Sequence, residues 1–159
     1  MKNQFTFDLA DLDVSPAHPG LRALGHADVG SLAKLLLSAY RDTPDDEGEG
    51  PEEALEAAES FTSQADEAGL LGCCCVVEIG GELGAACLVA PWNDVVLIST
   101  IMTDVKHKKQ GLGTTVLEAS LEALRMRGHS RVIAFITAGN RASERLFIGM
   151  GFVEVHRAR

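Results

Sequence analysis

One segment constrains this chain more than any other. Lys106-His107-Lys108-Lys109-Gln110-Gly111-Leu112-Gly113-Thr114 lies between two strong and different hydrophobic patterns. Before it, Val95 to Thr103 is rich in Val, Ile and Thr, the β-branched residues that suit a strand. After it, Leu112, Val116, Leu117, Leu121 and Leu124 recur at a helical period, and Gly128 stops the run. A strand must therefore pass into a helix through a loop with two glycines and three lysines. Glycines leave room for a ligand to reach the backbone. The first amides of a helix, with the positive end of its dipole behind them, attract anions. The segment reads as a cradle for a phosphate or pyrophosphate. His107, next to lysines, reads as a surface residue.

The rest of the chain places this unit in a larger α/β pattern. Leu21 to Leu24 is a short strand candidate. Asp28 is placed to cap a helix carrying Val29, Leu32, Leu36, Ala39 and Tyr40. The stretch 41–50 is polar and acidic, and Pro51 suits the first turn of a second helix. Residues 72–79 and 83–90 are apolar runs joined by Gly80-Gly81, a hairpin signal. With Val95–Thr103 they predict an antiparallel meander. Arg131 to Thr137 is a further strand, Asn140 caps a short helix ending near Gly149, and 152–155 make a last strand. A strand–helix–strand passage of this kind calls for a crossover to parallel pairing. Residues 1–20 alternate weakly at Phe5, Phe7 and Leu9 and read as an N-terminal extension or edge strand, with the domain proper at 21–159.

Charge and cysteine content narrow the partners. The net charge is −9, which argues against nucleic acid and anionic membranes as partners. Residues 1–104 hold 4 Lys/Arg against 19 Asp/Glu, while residues 105–159 hold 10 against 4. A basic last third on an acidic chain points to a local anion site. No apolar run reaches the ~18 residues of a membrane span. The first residues lack the order of a signal peptide, so a cytoplasmic location is expected. Cys73, Cys74, Cys75 and Cys87 form no framework and no C-x-x-C, and the five histidines have no ligand spacing, so no metal is expected.

Three kinds of cradle can be weighed. A P-loop needs Gly-Lys-Ser/Thr, and here Thr114 follows Gly113 directly. A dinucleotide fingerprint needs a third glycine where Val116 stands. The segment instead resembles the acyl-CoA loop of the GNAT N-acetyltransferase superfamily, Gln/Arg-x-x-Gly-x-Gly/Ala, with Lys108 at the Gln/Arg position and Gly111 and Gly113 as the small residues. Asn140-Arg141-Ala142-Ser143-Glu144-Arg145-Leu146-Phe147-Ile148-Gly149-Met150-Gly151-Phe152 is similar to the second signature of that family, Asn-x-x-Ala/Ser-x-x-Leu-Tyr-x-x-x-Gly-Phe. It begins 27 residues after Gly113, the distance of one helix and one strand. The resemblance covers roughly residues 21–155.

The resemblance implies an α/β (α+β) fold: a mixed, mostly antiparallel sheet with a splayed parallel pair, flanked by about four helices. It implies acetyl-CoA as cosubstrate, with its pantetheine arm along Ile101, Met102 and Thr103 and its pyrophosphate on Lys108, Lys109, Gln110, Gly111, Leu112, Gly113 and Thr114. A backbone amide of the strand would polarise the thioester carbonyl and stabilise the oxyanion. Asn140 and Phe147 would also meet the cosubstrate. The implied reaction is direct attack of a primary amine, and the acidic N-terminal two-thirds would suit a cationic acceptor. A homodimer is left open.

The chain departs from the family where acid–base groups are expected. The tyrosine of Leu-Tyr, the usual acid, is Phe147, and the usual glutamate base falls near the apolar Leu97. Asp104, Tyr40 and Glu78 remain as catalytic candidates, with Glu144 behind them as a solvated helix charge. Loss of both usual groups keeps a second reading in view, an acyl-CoA sensor that regulates a partner without turnover.

Overall fold

The computed structural model describes residues 1–13, 16–40 and 48–156. The acidic stretch 41–50 falls outside these residues except at its last three positions. Seven strands and four α-helices run in the order β1 (Lys2–Asp8), β2 (Leu21–Ala23), α1 (Val29–Tyr40), α2 (Pro51–Glu67), β3 (Cys75–Ile79), β4 (Glu82–Trp92), β5 (Val95–Thr103), α3 (Leu112–Met126), β6 (Arg131–Thr137), α4 (Arg141–Met150) and β7 (Val153–Glu154), among the described residues. They form one sheet ordered β2-β3-β4-β5-β6-β1-β7. Every pairing is antiparallel except β5–β6.

Local chemistry accounts for most boundaries. Gly80 and Gly81 have φ of 60° and 81°, the left-handed pair that a two-residue hairpin needs. Asn93 and Asp94 make the same turn between β4 and β5 at 43° and 68°, so Pro91 and Trp92 belong to the strand rather than to the turn. Pro51 opens α2 at its first position, as expected. Leu71–Cys73 is a short 3-10 turn, so β3 starts at Cys75, three residues later than the apolar run. The sole parallel pair among the described residues is joined by α3, whose Val116, Leu117, Leu121 and Leu124 are fully buried. Burying each such side chain contributes roughly 1.5–3 kcal/mol.

Two expectations are corrected. Lys2–Asp8 is neither a loose extension nor an edge strand. It lies between β6 and β7, in register from Lys2↔Thr137 to Asp8↔Arg131, with Phe5, Phe7 and Leu9 buried. Asp28 does not cap α1 directly. It ends the 3-10 turn His26–Asp28, accepts from the Gly25 amide at 2.8 Å and takes both guanidinium nitrogens of Arg22 at 2.7 and 2.8 Å.

The helices cover the two faces of the sheet. The Thr100 hydroxyl of β5 meets Tyr40 at the end of α1. Its neighbours Ile101 and Thr103 instead come within 3.8 Å of where a β-carbon on Gly113 of α3 would lie. Successive strand residues face opposite ways, so α1 and α3 lie on opposite faces. Leu146 of α4 approaches the same Gly113 position at 3.7 Å, which puts α4 beside α3.

Candidate functional site

The sheet opens at one place. The β5–β6 ladder runs from Val96↔Val132 to Ile98↔Ala134 and then ends, although β5 continues to Thr103 and β6 to Thr137. The cause lies on the other side of β5. Leu88 pairs with Thr100 and Val89 with Ile98, which leaves Ser99 as an extra residue. Such a bulge bends its strand and sharpens the twist. β5 therefore turns away from β6, and the backbone edge of residues 99–103 has no strand beside it. A cleft of about 1180 Å³ occupies the gap. Ile98 to Thr103 form one wall, and Phe135 to Arg141 form the other.

The start of α3 closes the cleft on one face. Gly111 caps this helix at φ 75° with no side-chain hydrogen bond to the first turn. Thr115 is the first residue whose amide finds a carbonyl, that of Gly111 at 3.0 Å. The four amides of residues 111–114 have no acceptor among the described residues and point out of the helix end. Lys109 adopts φ 66°, a left-handed conformation uncommon for a side-chain-bearing residue. A β-carbon at Gly113 would make only ordinary contacts with the protein, so the protein's own packing does not require glycine there. Lys108, Lys109 and Arg141 add positive charge to the lining. Unpaired amides, a dipole and lysines at one helix end suit a pyrophosphate, and the unpaired edge of β5 suits an extended amide-bearing arm.

Most residues expected at the cosubstrate site line this cleft: Ile101, Met102, Thr103, Lys108, Lys109, Gly111, Leu112, Gly113, Asn140 and Phe147. Gln110 and Thr114 do not. Asn140 also caps α4, its Oδ1 accepting from the Ser143 amide at 3.2 Å. Phe147 is 6% exposed and packs edge-on against Phe152 at 4.9 Å, so much of its ring serves the core.

The catalytic candidates separate. Tyr40 lines the cleft. Asp104 does not: its carboxylate accepts from the Lys106 amide at 2.9 Å and starts the turn Val105–His107. Glu78 does not either: it holds Arg22 at 2.7 Å beside β2. Each of these two carboxylates thus has a local partner and stands outside the cleft lining. Glu144 also lies outside the lining, with its Oε1 accepting from the Gly139 amide at 3.3 Å.

Several lining residues had no sequence signal as site residues: Leu36 and Leu37 of α1, Glu49 just before α2, Glu53 and Ala57 in its first turns, Phe135 of β6 and Lys2 of β1. The helix period could have placed Glu53 and Ala57 one turn apart on a single face. Nothing local marked Phe135 or Lys2.

The four thiols take no part in the cleft. All are free and buried. Desolvation pushes the Cys74 thiol up to about 12 and raises the other three, so they stay protonated. Among the described residues no group of three or more His, Cys, Asp or Glu side chains could hold a metal ion. No helix among them is long and apolar enough to cross a membrane.

The splayed pair, the bulge and the glycine-capped helix define an acetyltransferase fold, and comparison with known proteins agrees. The acetyltransferase (GNAT) family profile matches residues 32–152. The chain belongs to this family. Among solved structures, it is similar to a ribosomal-protein-alanine N-acetyltransferase from Brucella melitensis at 22% identity and a TM-score of 0.71, covering 86% of this chain and 85% of that one. It is also similar to an aminoglycoside N-acetyltransferase, AAC(6')-Iy, in complex with CoA, at 13% identity and a TM-score of 0.66, covering 93% and 96%. A GCN5-related N-acetyltransferase from Sphaerobacter thermophilus aligns at 14% identity and a TM-score of 0.74 over 98% of this chain, which spans 48% of that longer protein.

Proposed function

We propose that the protein transfers an acetyl group from acetyl-CoA to a primary amine by direct attack. The observation that carries this reading is the end of the β5–β6 ladder at Ile98 and Ala134, which opens a cleft onto the free amides of α3. Bound acetyl-CoA supplies the activated thioester. The amides of residues 111–114 hold the pyrophosphate, assisted by Lys108 and Lys109. The unpaired backbone of 99–103 orients the pantetheine arm and offers an N–H to the thioester carbonyl, where a preorganised donor has its largest effect. Asn140, already fixed as a helix cap, contacts the arm.

Proton transfer falls to the one expected catalytic candidate that lines the cleft. Tyr40 reaches the β5 wall from α1 and meets the Thr100 hydroxyl. It takes the place of the phenol absent at position 147 as proton donor to the leaving sulfur when the C–S bond breaks, while the attacking nitrogen gives up its own proton to solvent as the C–N bond forms. Glu49 and Glu53 line the α2 side, and their charge favours a cationic acceptor arriving from that face. The buried free thiols fit a reducing, cytoplasmic setting.

Two measurements test the reading. Acetyl-CoA should raise Tm, because a ligand of the native state adds RT ln(1 + [L]/Kd), while ATP and NAD should do much less. A panel of amines with acetyl-CoA should release free CoA with at least one acceptor. Stabilisation by acetyl-CoA with no release across a broad panel would favour the sensor reading. Equal stabilisation by ATP would defeat the acyl-CoA assignment.

A further inference from the structure

The cleft has a second end that acetyl transfer from CoA does not explain. Phe135 lines it, on the β6 wall. Register shows which way this wall continues. Trp92 pairs with Val95, and Leu97 pairs with Ile133. Alternation then puts Trp92, Leu97 and Phe135 on one face of the sheet. The bulge at Ser99 returns Thr100 to that same face, under Tyr40. The face is the α1 and α2 side, opposite the α3 cradle. Trp92 packs edge-to-face on Phe135, with centroids 5.4 Å apart and planes at 69°, yet keeps 44% of its surface exposed. Aromatic residues make up only 5% of the chain. Its single tyrosine nevertheless lines the cleft together with Phe135, and its single tryptophan packs on Phe135 from outside that lining.

We propose that Phe135 and Trp92 form an acceptor subsite for an amine carried on a flat apolar body, such as an arylalkylamine. The inference rests on the acetyl-transfer reading and deepens it. The amine would enter beside Tyr40 and Thr100, and the body would lie along the ring of Phe135 with Trp92 as its outer edge. Aromatic pairs prefer offset or edge-on contact and are held in place here by the existing Trp92–Phe135 packing. A half-exposed indole so anchored is a preorganised surface, which lowers the ordering cost of binding.

The single tryptophan makes the test direct. The full chain, saturated with CoA, is titrated with 2-phenylethylamine or n-butylamine while indole emission is followed. The expected result is a saturable emission change with 2-phenylethylamine at concentrations where n-butylamine gives none. In turnover with acetyl-CoA, KM for 2-phenylethylamine should lie about ten-fold below that for n-butylamine. Trp92→Ala should remove most of that advantage and leave KM for acetyl-CoA unchanged, and Trp92→Phe should restore much of it. No emission change together with equal KM values for the two amines overturns the subsite, as does a Trp92→Ala variant that weakens both amines alike. If neither amine is acetylated, the transfer reading fails for these acceptors, and the emission titration alone then decides the subsite.

Discussion

The hydroxyls of Tyr40 and Thr100 meet across the inner end of the cleft, tying the last residue of α1 to the strand just beyond its bulge. The proposed reaction makes this phenol the proton donor to the leaving sulfur. Tyr40→Phe keeps the ring and removes the proton. General acid catalysis contributes ~10²–10⁴-fold, so kcat should fall by about 10² or more while acetyl-CoA still raises Tm as in the parent. An unchanged kcat with a lowered Tm would reduce Tyr40 to a packing residue.

The two loop glycines should behave differently. Gly113 has room for a β-carbon among Leu146, Ile101 and Thr103, so Gly113→Ala should leave Tm near that of the parent. The methyl group would nonetheless stand in front of the helix-end amides and weaken CoA binding by about ten-fold or more. Gly111 has open space but φ of 75°, so Gly111→Ala should cost about 1–2 kcal/mol of stability before any ligand is added. Isothermal titration with CoA beside urea unfolding separates the two effects.

Acid should attack the β2–α1 junction. The Arg22 guanidinium, bonded to Asp28, holds the Asp28 carboxyl below the usual carboxylate range, with desolvation opposing and the Gly25 amide assisting. A depressed carboxyl binds its proton more weakly in the folded state. Its stabilisation is therefore complete above the unfolded value near ~4 and is lost as pH falls through the folded value. Asp28→Asn should lower stability by roughly 1–2 kcal/mol at neutral pH and flatten the fall in Tm below about pH 4. Urea unfolding across the acid range checks both parts.

Backbone approach decides another position. A β-carbon on Gly20 would overlap the carbonyl oxygen of Glu78, whose own amide donates to the Gly20 carbonyl at 2.9 Å. The clash is with backbone on both sides and has no flexible side chain to relieve it. Gly20→Ala should destabilise by about 1–3 kcal/mol, which thermal melting would register as about 2–4 °C for each kcal/mol in a chain of this size.

Elements with a strong local period were readable from the residues alone. The Gly80-Gly81 hairpin, α3 and the Arg131–Thr137 strand came from spacing that extends over a few residues. The cradle was readable for the same reason, since its glycines, lysines and helix start are contiguous. What could not be read depends on partners far away in the chain. Glu78 and Asp104 are exchangeable as carboxylates until Arg22 and the Lys106 amide are seen to occupy them. Phe135 looks like any strand residue until the ladder beside it is found to stop one position earlier, at Ala134. The weak alternation at Phe5 and Phe7 gave a strand but no address, because its neighbours are β6 and β7.

That address bears on the order in which the molecule becomes competent. β5 holds β6 at only Val96–Ile98, whereas β1 runs along its whole length from Lys2↔Thr137 to Asp8↔Arg131. The far wall of the cleft is thus suspended from β1, a strand far away in the chain. Pairing so distant in the chain delays closure, because loop entropy must be overcome before the contacts form. A nascent chain that has completed α3 owns the phosphate cradle and one wall. The other wall arrives only when residues 131–137 find residues 2–8, so affinity for the cosubstrate should be among the last properties each molecule acquires as it folds.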